Sequence, residues 1–383
     1  MYLWCKVVRQ QRSGVRFYLT PDPCHLTPKI ITLSRPIHIS SDTTFALYRL
    51  PDAKDHFLVR QRNGGYGQLK QHSFDQEGFA FHPFAVSADC PAVFIKGDRQ
   101  IRNAVIDFQS EHQKNLTVVD KATYLKKVDQ FIKATKDDFQ KLVLSRIKVL
   151  DIASGNLFHL FEALKIAHPS AFVYLVNIAG IGCWIGATPE RLFSQNGIAE
   201  TMALAGTQRD LGIPLESVQW GEKEVEEQAI VERYFQKILE ARKVLFIKSP
   251  RHTVKAGNVL HLCTNFQFTP VEDANALVDD LHPSPAVCGM PKQVAQRFIQ
   301  AKEQHDRAYY CGFLGPVNIS HNTHLFVNLR CMQVLKNRFA LYVGGGILPD
   351  SDPEKEWQET EMKAKTLSNV IEKVYLTEQF APA

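Results

Sequence analysis

Apolar residues along the chain recur with two different periods. Over residues 121–140 the spacing of Tyr124, Val128, Phe131 and Ile132 is helical, and apolar positions at i, i+3 and i+4 predict further helices at roughly 157–167, 219–243, 290–304 and 353–375. Unbroken apolar runs at 171–178 and 181–187, divided by Gly180, predict a hairpin whose second strand ends in the turn Thr188-Pro189-Glu190. Leu142-Val143-Leu144 opens another strand with Lys141 at the junction, and strands are also predicted at 257–263, 311–317, 324–332 and 339–343. The first 115 or so residues mix short apolar runs with turn signals at Pro21-Asp22-Pro23 and Asn63-Gly64-Gly65. Hairpins mixed with helices, rather than regular βαβ units, predict an α+β fold, and no repeat of solenoid period is present. Residues 1–115 are expected to be a β-rich part without a chemical motif, joined to a region 116–378 that carries the chemistry, within one integrated domain.

Charges interrupt two of the helical stripes. Ile230, Val231, Tyr234, Phe235, Ile238 and Leu239 share one side of their helix, and Glu227 prolongs that side by a turn. Such a carboxylate either faces inward or sits at the open helix end, where solvent and the positive dipole end stabilise it. In the last helix, at about 100° per residue, Glu356, Glu359 and Lys363 fall on nearly the same side as Leu367, Val370 and Val374. Burying these charges is costly without a partner, a metal or a ligand, so this end of the helix is expected to border a cavity. The competing reading is a surface i, i+4 pair between Glu359 and Lys363.

Inward carboxylates on separate helices, Glu227 and Glu359, suit magnesium, with substrate and water oxygens completing its shell. No histidine spacing points to a transition metal. Gly344-Gly345-Gly346 is read either as a simple turn after a strand or as a place where backbone N–H groups approach an anion, and it matches no nucleotide-binding loop. Arg330 lies in a run that reads as a buried strand and needs an anionic partner, either a substrate carboxylate or an internal acid.

Composition narrows the function class. A formal charge of +5 spread along 383 residues gives no basic stripe for nucleic acid, whereas an anionic metabolite fits. The eight cysteines are scattered without a C-x-x-C pair, which predicts reduced thiols in a cytoplasm rather than disulfides or a zinc ribbon. Met1-Tyr2-Leu3-Trp4-Cys5-Lys6 does not open an export signal and no apolar run reaches the length of a membrane span, so the sequons at Asn115 and Asn318 are expected to carry no glycan.

Six ordered segments over roughly residues 140–365 resemble the chorismate-binding enzymes, the family of anthranilate, aminodeoxychorismate, isochorismate and salicylate synthases. Gly186-Ala187-Thr188-Pro189-Glu190-Arg191-Leu192 resembles the family's G-A-S/T-P-E-x-L turn, Ala203-Leu204-Ala205-Gly206-Thr207 its A-G-T segment, and Lys223-Glu224-Val225-Glu226-Glu227-Gln228 its K-D-x-x-E-H helix start. The loop 281–291, beginning Leu281-His282-Pro283, is similar to L-H-P-T-P-A-V-G-G-x-P, and Glu303 through Gly312 to E-x-x-x-R-G-x-Y-x-G. Tyr342 through Ile347, with Ser351-Asp352-Pro353-Glu354 through Lys363, is similar to A-G-A-G-I and S-D-P-x-x-E-W-x-E-x-x-x-K. Gln228 stands where histidine is usual, Ala308 where glycine follows the arginine, and Cys288 and Gly345 replace small neighbours.

The resemblance implies a fold of two packed, mainly antiparallel sheets flanked by helices, and a magnesium-dependent reaction on chorismate. It assigns Lys141 as general base and Glu190 as general acid, Glu227 and Glu359 as metal ligands, and Glu356 as an indirect ligand through water. Arg330 and the backbone at Gly344 and Gly346 are implied to bind the pyruvyl carboxylate, with Tyr342 and Lys363 nearby and Gly206-Thr207 at the ring carboxylate. Ala205 and Thr264 complete the implied substrate-binding set. Aminodeoxychorismate synthases place a lysine nucleophile at the position of Ala205, and the longer anthranilate synthases carry a tryptophan-sensing motif absent here. The implied activity is therefore that of an isochorismate synthase acting without a glutaminase subunit. A salicylate synthase, an ammonia-using synthase and a silent chorismate-binding protein are the alternatives.

Overall fold

The computed structural model describes residues 35–61, 65–96 and 100–376. The expectations for Met1–Lys6, for the turn at Pro21-Asp22-Pro23 and for Asn63-Gly64 fall outside the described residues.

Two large sheets form the frame. A nine-stranded sheet has the Lys141–Leu150, Arg338–Ile347, Cys331–Leu335, Gly182–Thr188 and Phe172–Ile178 strands side by side in that order, continuing into Phe45–Arg49. A ten-stranded sheet centres on Val259–Phe268, Ala199–Arg209, Arg191–Gln195, Thr323–Val327 and Phe313–Val317. The pairings within both are antiparallel, and the strands Phe45–Arg49 and Gly78–His82 from the first part of the chain join the same sheets. This is the α+β architecture that the mixed element order predicts.

The nine-stranded sheet is covered on both faces, which is why its strands read as unbroken apolar runs. In Phe172–Ile178, Tyr174 and Val176 point into the core between the sheets, where Phe172 stacks on Phe326 of the other sheet at 4.3 Å between ring centroids. Val173 and Leu175 point the other way, onto Leu160, Phe161 and Leu164 of the Leu157–Ala167 helix and Leu367 and Ile371 of the Pro353–Tyr375 helix.

That last helix begins where Asp352 caps it by accepting from the Lys355 N–H at 2.9 Å, with Pro353 in its first turn. Its outer turns are strapped to the Lys141–Leu150 strand by Arg146, whose guanidinium lies 3.9 Å over the Trp357 ring and donates to Thr360 Oγ1 at 2.9 Å and to Glu361. Lys148 donates to the other oxygen of Glu361 at 2.6 Å. An Arg146→Met variant is expected to lose about 2 kcal/mol of stability through the stacked cation and its charge-assisted hydrogen bonds, read as a lower midpoint in urea denaturation.

Two strand expectations need correction. The predicted strand 324–332 is two strands in different sheets, Thr323–Val327 and Cys331–Leu335, separated by a crossing at residues 328–330. Asn328 holds this crossing, accepting from Tyr174 Oη at 2.5 Å and donating to the Tyr309 carbonyl at 2.8 Å, and Arg330 adopts a left-handed φ of 46°. The glycine run is not a turn: Arg338–Ile347 continues through all three glycines, which pair with Ser145, Leu144 and Val143.

Candidate active site

A cavity opens between the ends of the two sheets and the Glu222–Ala241 and Pro353–Tyr375 helices, with about 650 Å³ of empty space that is partly open to solvent. Its lining includes Glu190, Ala205, Gly206, Thr207, Glu227, Arg330, Tyr342, Gly344, Gly346 and Lys363, so most residues singled out in the sequence meet in one place.

Lys141 begins its strand with no solvent exposure, and its Nζ lies 2.9 Å from Glu227 Oε1. This is a close ion pair without hydrogen-bond alignment, so the buried ammonium has no aligned acceptor. The Glu227 carboxylate is pushed up by burial, but Lys141, Lys223 and Lys363 outweigh that and hold it below the usual range. The helical stripe thus does carry Glu227 inward, not to an open helix end.

The glycine strand explains how these groups come so close. A Cβ on Gly346 would collide with Glu227 Oε1 and stand 2.8 Å from Lys141 Cε, and one on Gly345 would stand 2.9 Å from Glu356 Oε2 and 3.4 Å from Glu359 Oε1. The glycines are needed for the space that site side chains occupy over the strand.

Glu190 follows the Gly182–Thr188 strand and is 2% exposed. Burial pushes its carboxyl up to about 8, against the pull of Lys141 and Lys363. It is therefore a neutral acid at pH 7, able to give a proton away.

Arg330, also buried, hydrogen-bonds a hydroxyl and an imidazole rather than a carboxylate: Nη1 donates to Thr366 Oγ1 at 2.8 Å and Nη2 to His261 Nε2 at 3.0 Å. Because an arginine only donates, His261 must accept at Nε2 and donate from Nδ1 to the Gly206 carbonyl at 2.8 Å. Burial and the neighbouring Arg330 lower the imidazole to about 3, which keeps this tautomer neutral. Sequence reading missed His261, whose signal is a lone polar residue in Val259-Leu260-His261-Leu262. It also missed Tyr310, which lines the cavity and stacks on Tyr342 at 5.7 Å.

On the last helix, Lys363 donates to Glu359 Oε1 at 2.6 Å and to the Gly344 carbonyl at 2.9 Å, so the i, i+4 pair forms but is turned onto the strand. Glu356 is 1% exposed; its Oε1 accepts from Lys223 at 2.5 Å and Ser351 at 2.8 Å, while Oε2 is buried without a partner. Burial and the nearby Glu359 push this carboxyl up to about 7. Thr264 does not line the cavity; it is fully buried, with its hydroxyl held by Gln228 at 3.0 Å and Glu232 at 3.1 Å.

The donors match a hard divalent cation in kind: three carboxylates from two helices, one with an orphaned buried oxygen. They are not gathered around a point, because among the described residues no three His, Cys, Asp or Glu side chains converge enough to hold a metal. Each acid is instead paired with a lysine.

Behind the site, Glu303 and Arg307 form a buried two-pronged pair at 2.7 Å, and Arg307 also donates to the carbonyls of Val287 and Val143. The pair fixes the 284–288 loop to the strand that carries Lys141. Residues 95–372 match the family described as chorismate binding enzyme. The chain belongs to that family.

Within the family the chain is 31% identical over 244 residues to the isochorismate synthase EntC of Escherichia coli K12, covering 60% of this chain and 62% of the relative. It is 28% identical over 289 residues to anthranilate synthase component 1 of Acetivibrio thermocellus, covering 70% of this chain and 57% of that one. The match thus spans less than two thirds of either relative's length. The solved structure of MenF, the menaquinone-specific isochorismate synthase of Escherichia coli, superposes with a TM-score of 0.72 at 20% identity over 86% of this chain and 88% of that one, which establishes the shared fold. No helix among the described residues is long and apolar enough to cross a membrane.

Proposed function

We propose that this chorismate-binding enzyme is an isochorismate synthase, converting chorismate to isochorismate by adding water at C2 while the C4 hydroxyl leaves. The observation that carries the reading is Glu190, a buried carboxyl on the wall of the cavity whose pKa is pushed up to about 8 by burial. In its neutral amine form, Lys141 takes a proton from the attacking water as the new C2–O bond forms, and the ring double bonds shift. The C4–O bond then breaks, with Glu190 supplying the proton that lets the oxygen leave as water, since free hydroxide leaves poorly. One water enters and one departs, so substrate and product are isomers.

Arg330 hydrogen-bonds no internal carboxylate, which supports giving it the pyruvyl carboxylate, with Lys363 and the Gly344 and Gly346 backbone beside it. His261 orients that guanidinium and ties it to Gly206, so the grips for the two ends of the substrate are linked. Ala205 offers no side-chain amine for a covalent route. Glu227 and Glu359, with Glu356 behind them, are the residues that would hold magnesium. Bound there, the ion supplies a Lewis acid for the ring carboxylate and for the charge that develops during the double-bond shift.

NMR identification of the product from chorismate and magnesium, with and without an ammonium salt, tests the reading. Isochorismate alone, indifferent to ammonium, is expected. Salicylate with pyruvate, an aminated product, or binding without turnover would each replace it. Glu227→Ala and Glu359→Ala are expected to weaken the response of turnover to magnesium by on the order of tenfold or more, and an unchanged magnesium dependence would move the metal elsewhere.

A further inference from the structure

Three lysines stand against the three carboxylates of the proposed metal site, one to each. Lys141 Nζ lies 2.9 Å from Glu227, Lys223 Nζ 2.5 Å from Glu356 and Lys363 Nζ 2.6 Å from Glu359. The charges cancel before any cation arrives. A divalent ion therefore gains its full attraction only from a carboxylate whose lysine has let go.

Lys223 is the member best able to do so. It does not line the cavity, and its side chain is 22% exposed, against 16% for Lys363 and 0% for Lys141. It sits in the first turn of the Glu222–Ala241 helix, where the helix dipole disfavours a cation, so its pull towards this place comes from the acids, Glu356 first and then Glu359 and Glu227. Glu356 is itself 1% exposed and only half satisfied: Oε1 takes Lys223 and Ser351, and Oε2, beside Gly345, takes no one. A buried carboxylate with one oxygen on a partly exposed ammonium and the other without a partner is poised to exchange one cation for another.

We propose that Lys223 is a built-in competitor of the metal: it holds Glu356 in place of a divalent cation and swings into water when the cation binds, so that it sets the metal affinity. This rests on reading Glu227, Glu356 and Glu359 as the metal site. Lys223 is a positioning residue, acting through Glu356 rather than on the substrate.

The test is calorimetric titration of the full chain with magnesium chloride, without chorismate, at fixed pH and ionic strength, checked by manganese titration followed by electron paramagnetic resonance. Lys223→Met is expected to bind magnesium about tenfold more tightly, the equivalent of losing a competing ion pair worth roughly 1.4 kcal/mol. Lys223→Gln, which keeps a polar side chain and serves if the methionine variant misfolds, is expected to move the same way. Lys223→Arg stays near the wild type, and Lys355→Met, which removes an exposed charge from the neighbouring helix, changes affinity less than about twofold.

Unchanged or weaker magnesium binding in both neutral Lys223 variants overturns the proposal, as does equal tightening in Lys355→Met. A wild-type chain that takes up no magnesium removes the metal assignment and this inference together. The NMR product assay still judges the reaction independently.

Discussion

Glu190→Gln is expected to lower turnover by about 10²–10⁴-fold while leaving a folded protein that still binds chorismate. The amide keeps the shape of the acid but has no proton to give to the departing oxygen. In the wild type, kcat/KM falls as pH rises through about 8, where Glu190 loses its proton. The variant loses this limb of the profile along with its rate. The variant's stability moves the opposite way to its rate. The Glu190 pKa is near 8 when folded and 4.5 in the free side chain, so the folded state holds a proton there that the unfolded state has lost. The stability linked to that proton is complete below about pH 4.5 and drains away as pH rises towards 8. Glutamine does not titrate, so at pH 8 the variant is expected to melt above the wild type, and near pH 4 the gap closes. Activity near the wild-type level, or a profile that keeps its alkaline limb, would place the acid elsewhere.

How much of this was legible in the sequence depends on how far apart the cooperating residues lie. The helical period alone brought Glu227, Glu356, Glu359 and Lys363 onto inward faces, because an apolar stripe fixes which side of a helix is covered. The period offered the Glu359–Lys363 pair on one helix but not the other two, since Lys223 and Glu356, for instance, lie on different helices and meet only once both are packed. Apolarity likewise marked 324–332 as buried but not as two strands. The break depends on Asn328 finding Tyr174 and Tyr309, contacts that leave no trace in the local pattern. The glycine run misled for a related reason. Glycine favours turns unless something else claims the space above the backbone, and here that space is filled by Glu227, Glu356 and Lys141. His261 hid inside an apolar run because its polar atoms are all satisfied internally, by Gly206 and Arg330.

Lys141→Met is expected to cost about 10²–10⁴-fold in turnover, as loss of the base should. Methionine keeps the unbranched stem that packs against Gly346, 2.8 Å from where a Cβ there would sit. Glu227 loses its nearest partner but keeps the field of Lys223 and Lys363, so the variant is expected to fold, as checked by circular dichroism and a thermal melt. A residual rate in a protein without its base must draw on hydroxide from solution. It should therefore climb by about tenfold per pH unit until Glu190 ionises. Were Lys141 only a counter-ion for Glu227, its removal would shift metal response and leave turnover at saturating magnesium near the wild-type level. A pH-independent residual rate would assign the proton transfer to another group on the cavity wall.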